Sequence, residues 1–348
     1  MQHRLQPGEL LDAHGRLAEA GWSDAEVRRY DRAAVAAPSW RIKEWDYYCV
    51  LTPDHGLALT VADNGYMGLL GVSWLDLGAR RECTENVMLP FPMGRMALPP
   101  SADTGDVVVE HRKMRIAFRH RGGERLLSID HPGFDGGRGL RGDLRLTQPA
   151  TSGHSAGSAP ARMVIATPFP DAPIAFYYNQ KINCLAAAGE ITVGTETFEF
   201  SPDSAFGVFD WGRGVWTYDN LWYWGSASGV VGGRPFGFNI GYGFGDTSAA
   251  SENMVFVDGI AHKLDRVTFH LPEGTYDGAP WKFTSNDGRF EMTFEPILDR
   301  AAAVDLKVLR SIQHQVFGRF TGHVVLDDGR RLEVVDLLGF AEEVRNRW

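Results

Sequence analysis

Six clusters of turn-forming residues recur along this chain, each set between two short runs of strand character. Asp63-Asn64-Gly65 separates Leu57–Ala62 from Tyr66–Leu70, and Gly122-Gly123 separates Met114–His120 from Leu126–Ile129. Gly232-Gly233, Asp258-Gly259, Asn286-Asp287-Gly288 and Asp327-Asp328-Gly329 repeat the arrangement further on. Asn-Gly, Asp-Gly and Gly-Gly tolerate the positive φ angles of tight hairpin turns, so such a series predicts an antiparallel meander. The 40 Gly and 18 Pro, with 20 Phe, 10 Tyr and 10 Trp, agree with strands and turns over helices. Segments of helical period are few, the best being Leu337–Val344. The fold class expected is therefore all-β with minor helices.

At 348 residues the chain exceeds the size at which one core usually keeps growing, which predicts two domains. Residues 1–40 read as an arm, punctuated by Pro7-Gly8 and Ala36-Ala37-Pro38, with Asp24 capping one short helix through about Asp31. The strongest change of composition falls at Phe200–Pro202, where a Trp- and Gly-dense block begins. Placing the boundary there gives domains at 41–200 and 201–348, each of a size to close into a barrel of about eight strands with room for one ligand. A propeller is disfavoured because no repeat of about 40–50 residues recurs. Pro149–Pro160, rich in Ser, Gly and Ala, reads as a mobile loop.

A net charge of −9, spread along the chain without a basic stripe, argues against nucleic acid as a partner. Cys49, Cys83 and Cys184 are odd in number and far apart, which predicts reduced thiols and neither a disulfide framework nor a zinc site. The first thirty residues are charged throughout and no run approaches the roughly 18 apolar residues of a membrane span, so the expected location is the cytoplasm.

The densest chemistry lies at 206–253. Trp211, Trp216, Trp222, Trp224, Tyr218, Tyr223 and Tyr242 fall there among Asp210, Arg213, Asn239, Asp246, Glu252 and Asn253. Alternation along a strand puts Trp222 with Trp224, and Phe236 with Phe238, on single faces. An aromatic wall of this kind binds apolar or cationic ligands, and the rings can stabilise a developing carbocation. The same stripe is also what a plain core looks like. Polar company favours a site, because a buried carboxylate is costly unless paired or functional. In the plainer reading Asp246 caps a turn and Asp210 pairs with Arg213 to tie loops together.

Gly241, Gly243 and Gly245 fail the dinucleotide spacing and lack a following helix, so they are read as clearing one strand face for a ring or ligand. A second cluster, with His314 among Gln313–Phe320 and Glu342-Glu343 beyond, completes the polar inventory. His262 and His314 are isolated, and without His-x-His or His-Glu-x-x-His spacing no metal is expected. Gly153-His154-Ser155-Ala156-Gly157 matches a nucleophile elbow by spacing only, since neither a buried strand nor a helix flanks it.

The stretches Phe209–Trp216, Gly241–Ser248, Gln315–Phe320 and Asn346–Trp348 resemble the bacterial family known as domain of unknown function 2804, over Pro7 to Trp348. A more distant resemblance is to the carotenoid 1,2-hydratase (hydroxyneurosporene synthase) and AttH-like group. Asp210-Trp211-Gly212 followed by Trp222-Tyr223-Trp224-Gly225 is similar to that group's pattern in order and approximate spacing. It departs at the residues flanking the Asp, His in the hydratases and Phe209 and Trp211 here. The resemblance implies two lipocalin-like (calycin-like) barrels, a fold that also houses pericyclase-like and tocopherol-cyclase-like enzymes.

Two functions remain open beside a purely structural protein. One is an enzyme that protonates a double bond of a terpenoid, lipid or polyketide-like molecule, leading to hydration, cyclisation or isomerisation without a cofactor. Asp210 would be its general acid, with Glu252 in reserve, Arg213 restraining Asp210, and Trp211, Trp222 and Trp224 stabilising positive charge. Tyr218, Asn239, Tyr242 and His314 would contact the substrate or a water. The other is a carrier of an apolar ligand, which needs the rings but no acid.

Overall fold

The computed structural model describes residues 2–149, 159–306 and 309–347. Gly153–Gly157 and most of Pro149–Pro160 lie outside them. All six turn clusters connect paired antiparallel strands. His55–Asp63 turns into Met67–Asp76 and Arg115–Arg121 into Glu124–His131. Four more hairpins in the C-terminal half follow the same rule. Gly122 and Gly123 take φ of 59° and 86°, Gly232 and Gly233 58° and 74°, the left-handed pair that a two-residue hairpin requires.

Apart from a short parallel pair, Gly8–Glu9 with Arg28–Arg29, the strands form two curled antiparallel sheets, each a lipocalin-like half-barrel around its own core. The 13-stranded first sheet runs from Arg81–Pro90 through Ile42–Leu51, Phe206–Val215 and Phe176–Val193 to Val107–Glu110. The nine-stranded second sheet has Arg234–Tyr242, Asp219–Val231, Arg331–Arg347, Leu309–Val325 and Phe290–Leu306 as consecutive neighbours. A third apolar cluster belongs to neither interior. It joins Tyr47, Cys49 and Val208 of the first sheet to Trp224, Phe317 and Phe340 of the second, and so forms the seam between them.

Three expectations need correction. The arm holds no helix at Asp24–Asp31: Gly21–Ser23 adds to the first sheet beside Met163–Pro168, and Asp31 caps a 3-10 turn at Arg32–Ala34. Leu337–Val344 is strand, within Arg331–Arg347. Phe206–Val215 pairs with Ile42–Leu51 and Phe176–Val193, so the chain changes sheets at 216–218, later than the composition shift at Phe200–Pro202. The three cysteines are free thiols. Among the described residues no helix is long and apolar enough to cross a membrane.

Candidate active site in the seam

Two ladder rows face each other across the seam. On the first sheet, Tyr47, Asp210 and Lys181 are direct cross-strand neighbours, and the next row places Trp45, Gly212 and Asn179 side by side. On the second sheet one row runs through Gly241, Trp224, Glu342, Gln315 and Arg300 over five adjacent strands. Contacts lock the rows together. The Tyr47 hydroxyl donates to Gln315 Oε1 at 3.1 Å, and the Lys181 ammonium lies 3.6 Å from the centre of the Trp224 ring. Between them opens a cavity of about 280 Å³, near the lower end of the roughly 300–1,000 Å³ of small-molecule pockets.

Glycines make room for this arrangement. A Cβ on Gly212 would stand 1.9 Å from Cζ2 of Trp45, so only glycine lets that indole lie flat over the strand. Trp45 then stacks on Tyr177 with ring centres 6.0 Å apart and takes Trp216 edge-on at 5.1 Å. Gly241 serves the second sheet in the same way, since its Cβ would meet Glu252 Oε1 at 2.7 Å. Gly243 and Gly245 lie past the end of that strand at φ of 97° and 74°, so of these three glycines Gly241 alone clears a strand face.

Three buried carboxyl groups converge here with different surroundings. Asp210 is ringed by donors: Lys181 Nζ at 2.8 Å, Asn179 Nδ2 at 2.6 Å and Trp45 Nε1 at 3.1 Å. Glu342 accepts from Trp222 Nε1 at 3.1 Å and Gln315 Nε2 at 3.0 Å, both neutral. Burial pushes the Glu342 carboxyl up to about 7, although Lys181 and the Trp222 donor act against the shift. Glu252 is also raised by burial, against the pull of Lys181 and of Asn239, whose Nδ2 donates to it at 3.3 Å. The cavity lining carries two cations, Lys181 and Arg300, against three carboxyl groups. Neither Glu342 nor Glu252 has an ion pair among the described residues, and burial drives both toward the protonated form. Tyr177 brings a hydroxyl to the same cavity, with no hydrogen-bond partner among the described residues.

Of the sequence-predicted site residues, Asp210, Glu252, Trp222 and Trp224 line the cavity. Asn239 stands just behind it, where its Oδ1 accepts from Trp224 Nε1 at 2.7 Å. Trp211 and Arg213 point the other way, because side chains flanking Asp210 in sequence fall on the opposite face of the strand. Trp211 is buried in the first core against Tyr30 and Tyr178. Arg213 does not restrain Asp210: it pairs with Asp46 at 3.0 Å and lies over the Trp211 ring. Tyr242 stacks on Tyr223 on the inner face of the second sheet, and Tyr218 is exposed. His314 lies on the far side of its strand, paired with Asp299 at 2.7 Å and stacked on Tyr276. Asp246 caps a turn, accepting from the Ser248 amide at 2.9 Å.

Lys181, Glu342, Trp45, Tyr47 and Arg300 were not singled out as site residues from the sequence. Each comes from a strand distant in the chain from Asp210, and no local pattern marks them. The nearest signal was Glu342 within the C-terminal polar cluster.

The family model described as a domain of unknown function, DUF2804, matches residues 2–348. No curated protein matches the sequence. Among solved structures, a putative AttH (NE1406) from Nitrosomonas europaea superposes with a TM-score of 0.53 at 13% identity, over 92% of this chain and 98% of that one. Kievitone hydratase from Nectria haematococca gives 0.52 at 9% identity, over 98% of each chain. CghA in complex with Sch210972 gives 0.52 at 12% identity, over 88% of each. At these identities the likeness is one of fold.

Proposed function

We propose, from the premise that this chain belongs to the DUF2804 family, that it is an enzyme using Glu342 to protonate a double bond of an apolar small molecule held in the seam. One observation carries the reading: a buried carboxyl raised to about 7 stands in a ring-walled cavity. A general acid is most effective with a pKa near the working pH. A hydratase among the fold's relatives supports this class of chemistry.

In this reading Glu342 gives its proton to one alkene carbon, and the cation left on the other is held against ring faces. Water adds, a second double bond attacks, or a neighbouring C–H proton leaves, giving hydration, cyclisation or isomerisation; in each case a proton returns to the carboxylate. The near face of Trp224 is occupied by Lys181. Trp222, which also lines the cavity, is the indole offered to the cation. Asp210 neutralises Lys181, so the ammonium does not repel the cation outright. Glu252 is the second acid.

The test is incubation of the purified protein in D2O with a panel of terpenoid and polyketide-like alkenes, read by mass spectrometry. Deuterium uptake or addition of water, lost in Glu342→Gln, is the expected result. Uptake that survives both Glu342→Gln and Glu252→Gln would remove these acids from the reaction. Tight binding of a compound returned without deuterium would mark a carrier instead.

A further inference from the structure

We infer that the substrate of this site carries a carboxylate, which Arg300 binds at the end of the cavity away from Lys181. The inference rests on the seam being a ligand site, as proposed above, and names the class of molecule it takes. Among the described residues Arg300 forms no ion pair, unlike Lys181, which has Asp210, and Arg213, which has Asp46. Its one hydrogen bond among the described residues runs from Nη1 to Ser73 Oγ of the opposite sheet at 2.8 Å. Ser73 in turn accepts from Thr84 Oγ1 at 2.8 Å. The guanidinium lies 5.9 Å from the Tyr47 ring centre and 6.0 Å from that of Phe317, and its remaining N–H groups have no hydrogen-bond partner among the described residues; a guanidinium fork matches a carboxylate with two parallel hydrogen bonds.

The floor beneath Arg300 differs from the aromatic end. On the facing strands of the first sheet, Thr60, Gly71 and Asn86 are cross-strand neighbours, as are Ser73 and Thr84. A Cβ at Gly71 would stand 2.8 Å from Asn86 Oδ1, so the glycine leaves a polar recess. This end of the cavity therefore offers hydroxyl and amide groups with one cation, while the other offers rings, Glu342 and an already paired Lys181. Such a polarity gradient fits an amphipathic molecule. Arg300 lies two strands from Glu342 along one ladder row, roughly 10 Å at a strand spacing of about 4.8 Å.

Geranic acid and methyl geranate, alike except for the charge, separate this proposal from its rivals when titrated into the full-length protein at pH 8 with tryptophan fluorescence as readout. The acid should bind at least about tenfold more tightly than the ester. Arg300→Gln should bring the ratio close to one, whereas Lys181→Met should leave a clear preference for the acid. Equal binding of acid and ester to the wild-type protein, or a preference that survives Arg300→Gln, would overturn the assignment of Arg300 while leaving the seam a ligand site. Binding of neither compound, at concentrations up to their solubility, would count against the seam reading and this inference together.

Discussion

Glu342 gives the residue scale its sharpest consequence, because its proton is held more tightly in the folded protein than in the unfolded chain. Burial raises its carboxyl from an ordinary 4.5 to about 7. Between those values the folded state binds more protons, so stability falls as pH rises through the interval, and the full cost of the buried anion is reached above about pH 7. Glu342→Gln removes a group that must ionise. The variant should match the wild type in stability near pH 4 and exceed it at pH 8, by an amount on the order of a few kcal/mol. Denaturant titrations at the two pH values check this, and a variant less stable than wild type at pH 8 would contradict it. Sequence reading singled out Asp210, Glu252, Trp222 and Trp224, all of which line the cavity, because they are clustered in the chain. It missed Lys181 and Glu342 because ladder pairing, and not proximity in sequence, brings them there. It also overcounted: Trp211 and Arg213 sit beside Asp210 in the chain, and that adjacency sends them to the opposite face.

At the scale of elements, turn chemistry was the most legible signal, since a φ above zero admits few residue types and all six clusters proved to be turns between strands. Helix signals failed for a physical reason. Leu338, Phe340 and Glu342 face the seam while Leu337 and Ala341 face the second core, so Arg331–Arg347 is buried on both sides through this stretch. A strand buried on both sides loses its period-two alternation and can imitate a helix. Gly212 shows how an element carries the site. Its missing Cβ lets Trp45 reach Asp210, and Gly212→Ala would force the indole off the strand. The substitution should cost about 1–3 kcal/mol, as overpacking does. It should also change the fluorescence of the bound-state tryptophans and weaken ligand binding, since the displaced ring enters the cavity. Unchanged binding and stability would mean that Trp45 has somewhere else to go.

On the scale of the whole molecule, the site exists only while the two half-barrels stay together, because Asp210 and Lys181 come from one sheet and Glu342 and Arg300 from the other. The sequence predicted two barrels, yet the place between them, where the cavity lies, leaves no mark in either half alone. Several features fasten the seam. Its apolar cluster buries residues of both sheets, and a bulge in Phe176–Val193 turns Asn183 toward the second sheet, where Nδ2 donates to Ser226 Oγ at 2.8 Å and to the Phe238 carbonyl at 2.9 Å. Next to it the Cys184 amide donates to Ser228 Oγ at 2.9 Å. A seam this continuous should make the halves open as one unit, which hydrogen exchange can test strand by strand. Phe320 is buried in the second core and touches Phe238, Phe283 and Phe294, with no ring contact to the first sheet among the described residues. Phe320→Ala should cost about 3–5 kcal/mol. If opening is global, the slowest amides of Ile42–Leu51 and Phe206–Val215 in the first sheet should speed up by the same factor as those of Arg331–Arg347, roughly a hundredfold or more. Acceleration confined to the second sheet would show that the seam does not couple the halves, and the cavity would then lie at a joint that opens without unfolding.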